Sequence, residues 1–187
     1  MNSMWVAFCV AFMAMFGAQG PGKVNHLANE RSAYLRNAAT QAVEWYPLGD
    51  AAYAEAKRRD KPLLIDVGAS WCNYCNLMDR ESYSQASVAS FINENFVSVK
   101  VDYDAQPEIT RRFEVAQALA NLPAGIPLIM VVTPEGKLFA GGTYFPAKKT
   151  GNKPSFMEML HAAVQEFNTH SSRIQREGVD LRLEGNP

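Results

Sequence analysis

The chain has 187 residues, of which 48% are hydrophobic, and its formal net charge is −1 at pH 7. This length and hydrophobic content are typical of one globular domain with a real core and exclude bulk disorder. The nearly balanced charge provides no general attraction to nucleic acid or to an anionic membrane surface, so we expect no nucleic-acid partner.

An uncharged and mostly apolar run occupies residues 4–18. It is shorter than the stretch of about 18 or more residues that a membrane span needs, and it suits the core of a signal peptide. Ala18 and Gly20 supply small residues for a cleavage site. We therefore expect residues 1–20 to direct export to the periplasm or to the medium. An uncleaved membrane anchor and a buried N-terminal helix are the alternatives.

Helical and strand-like patterns alternate along the rest of the chain. The expected elements are a short helix within 33–46, a helix over 50–59 capped by Asp50, a strand over 63–67, a helix over 72–80, a helical stretch capped by Ser84, a strand over 96–101, a helix from Pro107, strands over 127–132 and 137–140, and a helix from Phe156 to Gly178. Residues 21–48 are assigned to an N-terminal extension, residues 49–178 to the main domain and residues 179–187 to a loose tail.

The connections between these elements predict the arrangement of the sheet. The first two strands are separated by a helical crossover and should be parallel, whereas residues 133–136 have the composition of a tight turn and make the last two strands antiparallel. Ser155 and Glu158 form a capping box at the start of the last helix. We therefore predict an α/β fold with a central mixed β-sheet flanked by helices.

Two cysteines lie at the junction of the first buried strand and the helix that follows it. Cys72 and Cys75 are separated by two residues, so they can share one disulfide and exchange it with other thiols. A helix N-terminus stabilises an anion, which should lower the pKa of the Cys72 thiol. We predict that Cys72 attacks a substrate disulfide and that Cys75 then displaces the reduced product. The remaining cysteine, Cys9, lies in the apolar run.

A zinc site and a cysteine protease are the competing interpretations of these cysteines. Zinc usually takes four ligands, and the sequence has neither a second cysteine pair nor ligand spacing among His26, His161 and His170. Cys72 with His161 could form a protease dyad, but the neighbouring Cys75 argues against it. We therefore expect no metal, and no cofactor other than the redox-active disulfide Cys72–Cys75.

The order of the elements and the Trp-Cys-x-x-Cys motif resemble the thioredoxin superfamily. A more specific resemblance covers about residues 26–146 and is to the thioredoxin-like domain of spermatogenesis-associated, epimerase-like proteins and of related bacterial secreted thioredoxins. The matching segments are Glu44-Trp45-Tyr46-Pro47, Lys61-Pro62, Met78-Asp79-Arg80-Glu81-Ser82, Asn93-Glu94-Asn95-Phe96-Val97 and Gly141-Gly142-Thr143-Tyr144-Phe145-Pro146. Asn73, Tyr74 and Asn76 stand where that family often has histidines.

The resemblance implies two supporting residues behind the cysteines. Asp66 lies six residues before Cys72 and matches the buried acid of thioredoxins, which would take the proton of Cys75 through a water. Lys100 matches the lysine that neighbours this acid. A solvent-facing aspartate and a strand lysine that points into water are the alternatives.

The resemblance also implies a substrate-binding surface. Ile126-Pro127 matches the cis-proline segment of the superfamily, which would pair with an extended substrate near Cys72. Its alternative is a proline at the first position of a strand. Trp71 and Tyr74 are expected to form an apolar rim around the sulfurs, with ordinary packing as the alternative.

Taken together, these residues imply an exported thiol–disulfide oxidoreductase that acts on protein disulfides. Asp66 and Ile126-Pro127 resemble reducing thioredoxins more than strong oxidants, so we expect reduction. Such a protein needs an electron donor, for which a membrane thiol–disulfide transporter is a candidate. A non-enzymatic thioredoxin-like binding module or a metal-delivery protein is the alternative.

Overall fold

The computed structural model describes residues 24–181, so the expectations for residues 1–20, for Cys9 and for residues 182–187 lie outside the described part. The helices are Ala33–Asn37 (α1), Asp50–Arg59 (α2), Asn73–Met78 (α3), Ala86–Asn95 (α4), Pro107–Leu119 (α5), Phe156–Thr169 (α6) and Ser171–Glu177 (α7), with a π-helical turn over Asp79–Tyr83 after α3. The strands are Trp45–Tyr46 (β1), Leu63–Gly68 (β2), Val97–Asp102 (β3), Leu128–Val132 (β4), Lys137–Gly142 (β5) and Val179–Asp180 (β6). No helix within residues 24–181 has the length and apolar character that crossing a bilayer requires.

The strands form one mixed sheet in the order β1-β3-β2-β4-β5-β6. Strand β3 runs parallel to β1 and β2, whereas β4 runs antiparallel to β2 and β5. The predicted parallel pair, the predicted hairpin and the mixed sheet are therefore confirmed. Because β2 is in the middle of the sheet, all of its residues are buried, and the two cysteines follow the best-shielded strand.

Alternation along the central strands decides which side chains meet on each face of the sheet. Leu63, Ile65 and Val67 belong to the cluster that also contains residues of α2 and α5. Asp66 must then point to the opposite face, because successive side chains of a strand alternate. Lys100 of β3 is the register partner of Asp66 and points to the same face. The alternation therefore places an acid and a base side by side inside the protein.

Residues 24–46, which the sequence assigns to an N-terminal extension, pack into this core. Leu27, Val43 and Trp45 have no exposed surface, and β1 pairs with β3 at the edge of the sheet. The Asn25 side-chain amide donates hydrogen bonds to the carbonyls of Ala38 and Val43 at 2.9 and 3.0 Å. This segment therefore completes the domain on the face that holds Asp66 and Lys100.

The C-terminal region differs from the prediction in two places. The helix expected from Phe156 to Gly178 is divided at His170, whose backbone leaves the helical conformation with φ −127° and ψ 29°. The tail expected to be loose begins with β6, in which Val179 pairs with Leu138. The prediction of a loose tail from residue 179 is therefore wrong for its described residues.

Two predicted helix caps are also corrected. Gly49 is the N-cap of α2 and Asp50 is its first residue. Ser84 does not cap α4, since its hydroxyl donates to a carbonyl of the preceding turn at 2.5 Å and Gln85 holds the N-cap position. The capping box before α6 is confirmed. These differences shift the ends of helices without changing their order.

Candidate active site

The two cysteines form a disulfide at the start of α3. Cys72 is the N-cap residue, with an extended backbone at φ −81° and ψ 107°, and Cys75 lies one turn later. Their sulfurs are bonded, and the Cα atoms are 5.2 Å apart. The backbone N–H of Cys75 also donates to the Cys72 sulfur at 3.1 Å. Once the disulfide opens, this donor and the helix start both favour negative charge on Cys72.

The outer side of the disulfide carries exposed aromatic side chains. Trp71 is 58% exposed and Tyr74 is 57% exposed, although both cysteines beside them are buried. The Trp71 indole donates to the Asp104 carboxylate at 2.7 Å, and Tyr74 packs on Tyr144 with ring centroids 4.9 Å apart. These contacts hold the two exposed rings on the surface beside the buried sulfurs.

The segment before β4 lies against the same disulfide. The Ile126–Pro127 peptide bond is cis, and Ile126 packs against the cluster of Cys72, Cys75 and Ala69. The fold thus brings together two segments that are separated by about 50 residues of sequence. The sequence reasoning placed both segments at one site, and the structure brings them into contact.

A buried ion pair lies on the inner side of β2 and β3. The Lys100 ammonium is 2.8 Å from Asp66 Oδ2 and 3.1 Å from Asp79 Oδ1. Lys100 is 1% exposed and Asp66 is 2% exposed, so this cation compensates two carboxylates in a medium that solvates charge poorly. The second oxygen of Asp66, Oδ1, is buried without a hydrogen-bond partner among the described residues.

The two members of this pair respond differently to their surroundings. Burial raises the pKa of Asp66, Lys100 opposes this effect and Asp79 adds to it. Burial disfavours the charge on Lys100, but Asp66 and the other groups around it raise its pKa above the ordinary value. Lys100 therefore stays charged, and Asp66 is the member whose protonation can change.

Aromatic rings surround the ammonium group on its remaining sides. The Lys100 Nζ lies 4.9 Å from the ring centroid of Trp45 and 5.2 Å from those of Tyr34 and Tyr83, within the range of cation–π attraction. Gln41 links this group together, since it accepts from the Trp45 indole at 2.7 Å and donates to Asp79 at 3.1 Å.

Sequence reasoning missed these inner residues. Trp45 and Asp79 lie inside segments that carry the family resemblance, but no local pattern assigned them a role. The π-helical turn that begins at Asp79 is a geometry that often marks functional sites, and an α-helical interpretation of residues 72–80 could not reveal it. No sequence pattern pointed to a role for Tyr34, which stands between apolar residues.

The histidines lie in other parts of the fold. His26 stacks on Tyr46 with ring centroids 3.8 Å apart, and His161 packs against Phe91 at 4.2 Å. Within residues 24–181, no group of three or more His, Cys, Asp or Glu side chains is arranged so that it could hold a metal ion.

Comparison with known proteins places this geometry in a family. Residues 24–183 match Thioredox_DsbH, described as a protein of unknown function, DUF255. Spermatogenesis-associated protein 20 of Rattus norvegicus is 35% identical over 156 residues, which cover 81% of this chain and 20% of that protein. Thioredoxin of Alicyclobacillus acidocaldarius is 31% identical over 70 residues, which cover 36% of this chain and 62% of that protein. The chain thus spans about a fifth of the rat relative.

A solved structure gives the same fold. The structure named DsbH Oxidoreductase superposes with a TM-score of 0.51 at 18% identity, covering 66% of this chain and 85% of that chain. At this identity the match shows the shared fold. Both the predicted fold and the resemblance to spermatogenesis-associated proteins are confirmed. With its Cys72–Cys75 disulfide after the central strand, the chain belongs to the Thioredox_DsbH (DUF255) family of thioredoxin-like domains.

Proposed function

We propose that the protein is an exported thiol–disulfide oxidoreductase that reduces disulfides of protein substrates. The observation that carries the proposal is the disulfide between Cys72 and Cys75, which has an exposed rim on one side and a buried carboxyl on the other. Disulfides that exchange with other thiols need an accessible attacking sulfur and a second sulfur that resolves the mixed disulfide. In this proposal Cys72, the more exposed of the two cysteines and the neighbour of Trp71, is the attacking sulfur, and Cys75 is the resolving sulfur.

The first step starts from the reduced protein. The Cys72 thiolate attacks one sulfur of the substrate disulfide, the substrate S–S bond breaks, and the other substrate sulfur leaves as a thiolate that takes a proton from solvent. The N–H of Cys75, 3.1 Å from the Cys72 sulfur, stabilises the attacking anion. Cys72 is also the cysteine next to the exposed Trp71, so it is the nucleophile in this proposal.

The second step releases the product. Cys75 gives its proton to the Asp66 carboxylate through a water, and its thiolate attacks the Cys72 sulfur. A Cys72–Cys75 bond forms, the bond between Cys72 and the substrate breaks, and the second substrate thiolate leaves. The raised pKa of Asp66 suits a group that accepts this proton and later returns it. Gly68, two residues after Asp66, is adjacent to the Cys75 sulfur, so β2 connects the acid to the second cysteine.

Substrate binding is assigned to the outer side. Trp71 and Tyr74 provide apolar contact, and the Ile126-Pro127 backbone beside the disulfide pairs with an extended segment of the substrate as an added strand would. Restoring the dithiol requires two electrons and two protons from a donor dithiol. A membrane thiol–disulfide transporter is the donor we propose, in keeping with export through residues 1–20.

The test is reduction of insulin disulfides by the full chain as the wild type, as Cys72→Ser and as the control Cys9→Ser, which changes the remaining cysteine. We expect activity in the wild type and the control, and none above background for Cys72→Ser. Cys75→Ser should accumulate mixed disulfides with substrates, because the resolving thiol is missing. An inactive wild type that binds metal tightly would favour the binding or metal-delivery alternative, and activity in Cys72→Ser would contradict the mechanism.

A further inference from the structure

Tyr34 brings a phenol into the interior behind the disulfide. It lies on α1, in the segment that completes the domain, and it is 7% exposed. Its ring contacts Lys100, yet its hydroxyl is buried without a hydrogen-bond partner among the described residues. Buried hydroxyls are nearly always paired, so an unpaired one needs an explanation.

The hydroxyl stands beside the second cysteine. A Cβ atom added to Gly68 would lie 2.2 Å from the Tyr34 hydroxyl oxygen and 3.1 Å from the Cys75 sulfur. Both atoms therefore border the space that a side chain at position 68 would fill. Because residue 68 is glycine, the phenol can approach the end of β2 and become a neighbour of the sulfur.

We propose that the Tyr34 hydroxyl is the hydrogen-bond donor that stabilises the Cys75 thiolate after the disulfide opens. The inference rests on the proposed function and adds a residue to its second step. In the disulfide, the Cys75 sulfur is a weak acceptor. Once Cys75 has given up its proton in the second step, its sulfur is an anion, and a hydrogen bond to an anion is about twice as strong as a neutral one.

The chemistry keeps this role distinct from that of Asp66. Burial raises the pKa of Tyr34, with Lys100 opposing and Asp66 and Asp79 adding to the effect. The phenol therefore keeps its own proton and acts only as a donor. The proton of Cys75 goes to Asp66, the Cys75 thiolate attacks the Cys72 sulfur, and the electron pair of the broken S–S bond leaves with the substrate thiolate.

The titration of Cys75 is the measurement that tests this role. The charged and titratable groups around this site are Asp66 from β2, Lys100 from β3, Asp79 and Tyr83 from the π-helical turn, Cys72 from α3, and Tyr103, which packs against the cysteine cluster. Tyr34→Phe removes one oxygen and keeps the ring that contacts Lys100. The Cβ NMR signal of Cys75, followed against pH in the reduced protein, measures the thiolate fraction of this cysteine. At a given pH below the pKa of Cys75, we expect this fraction to be about tenfold lower in Tyr34→Phe than in the wild type.

Tyr83→Phe is the matched control. Tyr83 is also buried, and its ring is also 5.2 Å from the Lys100 ammonium. Its hydroxyl interacts with Asp66, so we expect its loss to shift the Cys75 titration less than the loss of the Tyr34 hydroxyl does. An equal shift in both variants would assign the effect to the buried charges in general and overturn the proposal, as would an unchanged titration in Tyr34→Phe.

Folding and the proposed function are tested separately. Removing an unpaired buried hydroxyl leaves no partner unsatisfied, so oxidised Tyr34→Phe should unfold at the same temperature as the wild type or higher. The NMR titration needs no substrate. An inactive wild type in the insulin assay would reject the proposed function, whereas an active wild type with an unmoved Cys75 in Tyr34→Phe would reject this inference alone.

Discussion

The two sides of the Cys72–Cys75 disulfide differ in almost every physical property. On the outer side, Trp71 and Tyr74 are more than half exposed. On the inner side, Asp66 and Lys100 are almost completely buried and in direct contact. The proposed mechanism assigns binding and proton transfer to separate residues, so that substitutions on the two sides should have different consequences.

The inner side also couples chemistry to stability. A buried charge without a partner is costly, and here one cation serves two carboxylates at 2.8 and 3.1 Å. The outer side has no comparable requirement, because water solvates its polar atoms. We therefore expect inner variants to change both stability and activity, and outer variants to change substrate recognition alone.

The largest expected effect is on the inner side and concerns stability. Lys100→Met leaves Asp66 and Asp79 without their cation, and breaking a buried pair in this way costs about 3–5 kcal/mol. The free energy of unfolding from urea denaturation at pH 7 measures it. The loss should shrink at lower pH, because protonation removes the charge on Asp66.

Lys137→Met is the matched control for that variant. Lys137 pairs with Asp180 at 3.2 Å, but Asp180 is 45% exposed, so the loss should stay below about 1 kcal/mol. Equal losses in the two lysine variants would mean that the buried pair contributes no more than a surface pair.

The second expected effect is on activity. Asp66→Asn removes the group that we propose accepts the proton of Cys75, and a general base of this kind contributes about 100-fold to a rate. Insulin reduction by the variant should fall by about that factor at pH 7. Asp180→Asn, which changes an aspartate on β6, should keep the wild-type rate. An active Asp66→Asn would remove Asp66 from the mechanism.

The stability of the same variant relative to the wild type should depend on pH. The folded pKa of Asp66 is raised by burial, so the folded state binds this proton more tightly than the unfolded state, whose value is about 3.9. In the wild type, the contribution of Asp66 to the free energy of unfolding is therefore at its full value below that pH. It decreases as the pH rises through the folded pKa. Asp66→Asn avoids the loss, so its free energy of unfolding relative to the wild type should increase with pH from its value near pH 3. A disadvantage that grows with pH would contradict the direction given for Asp66.

The outer side and the sheet could be predicted from sequence because their signals are local. The apolar run of β2, the alternation of β3 and the spacing of Cys72 and Cys75 each fall within a few residues. Alternation also placed Asp66 and Lys100 on one face once the parallel register was known. The resemblance supplied the cis bond at Ile126-Pro127, which sequence alone does not indicate.

The inner side could not be predicted to the same extent because it is assembled from distant segments. Asp79 reaches Lys100 from a π-helical turn, and Tyr34 of α1 borders the space beside Gly68 and the Cys75 sulfur. Strand β1 has two residues, too few for a period to be recognised. Nothing local therefore showed that the N-terminal segment belongs to the site.

The third expected effect is on recognition. Trp71→Ala removes an exposed ring of the rim, so the free energy of unfolding should change by no more than about 0.5 kcal/mol. Aromatic anchors contribute strongly to binding, and we expect kcat/KM for insulin to fall about tenfold. Reduction of a small disulfide such as oxidised glutathione should be nearly unchanged. Leu119→Ala, which trims another exposed apolar residue at 67%, is the control. A loss with both substrates would place Trp71 in the chemistry and weaken the division between the two sides.

The smallest expected effect belongs to neither side and provides the baseline for the others. Ser155 caps α6 by accepting from the Glu158 N–H at 3.2 Å, while the Glu158 carboxylate accepts from the Ser155 N–H at 2.8 Å. Ser155→Ala removes one half of this box and should cost about 1 kcal/mol of unfolding free energy. Because the hydrogen bonds of this box include none to the cysteines or Asp66, insulin reduction should be unchanged at temperatures where the variant is folded. A change in activity at equal folded fraction would mean that a change at the start of α6 affects the disulfide. Activity losses in the inner variants could then not be assigned to their charges alone.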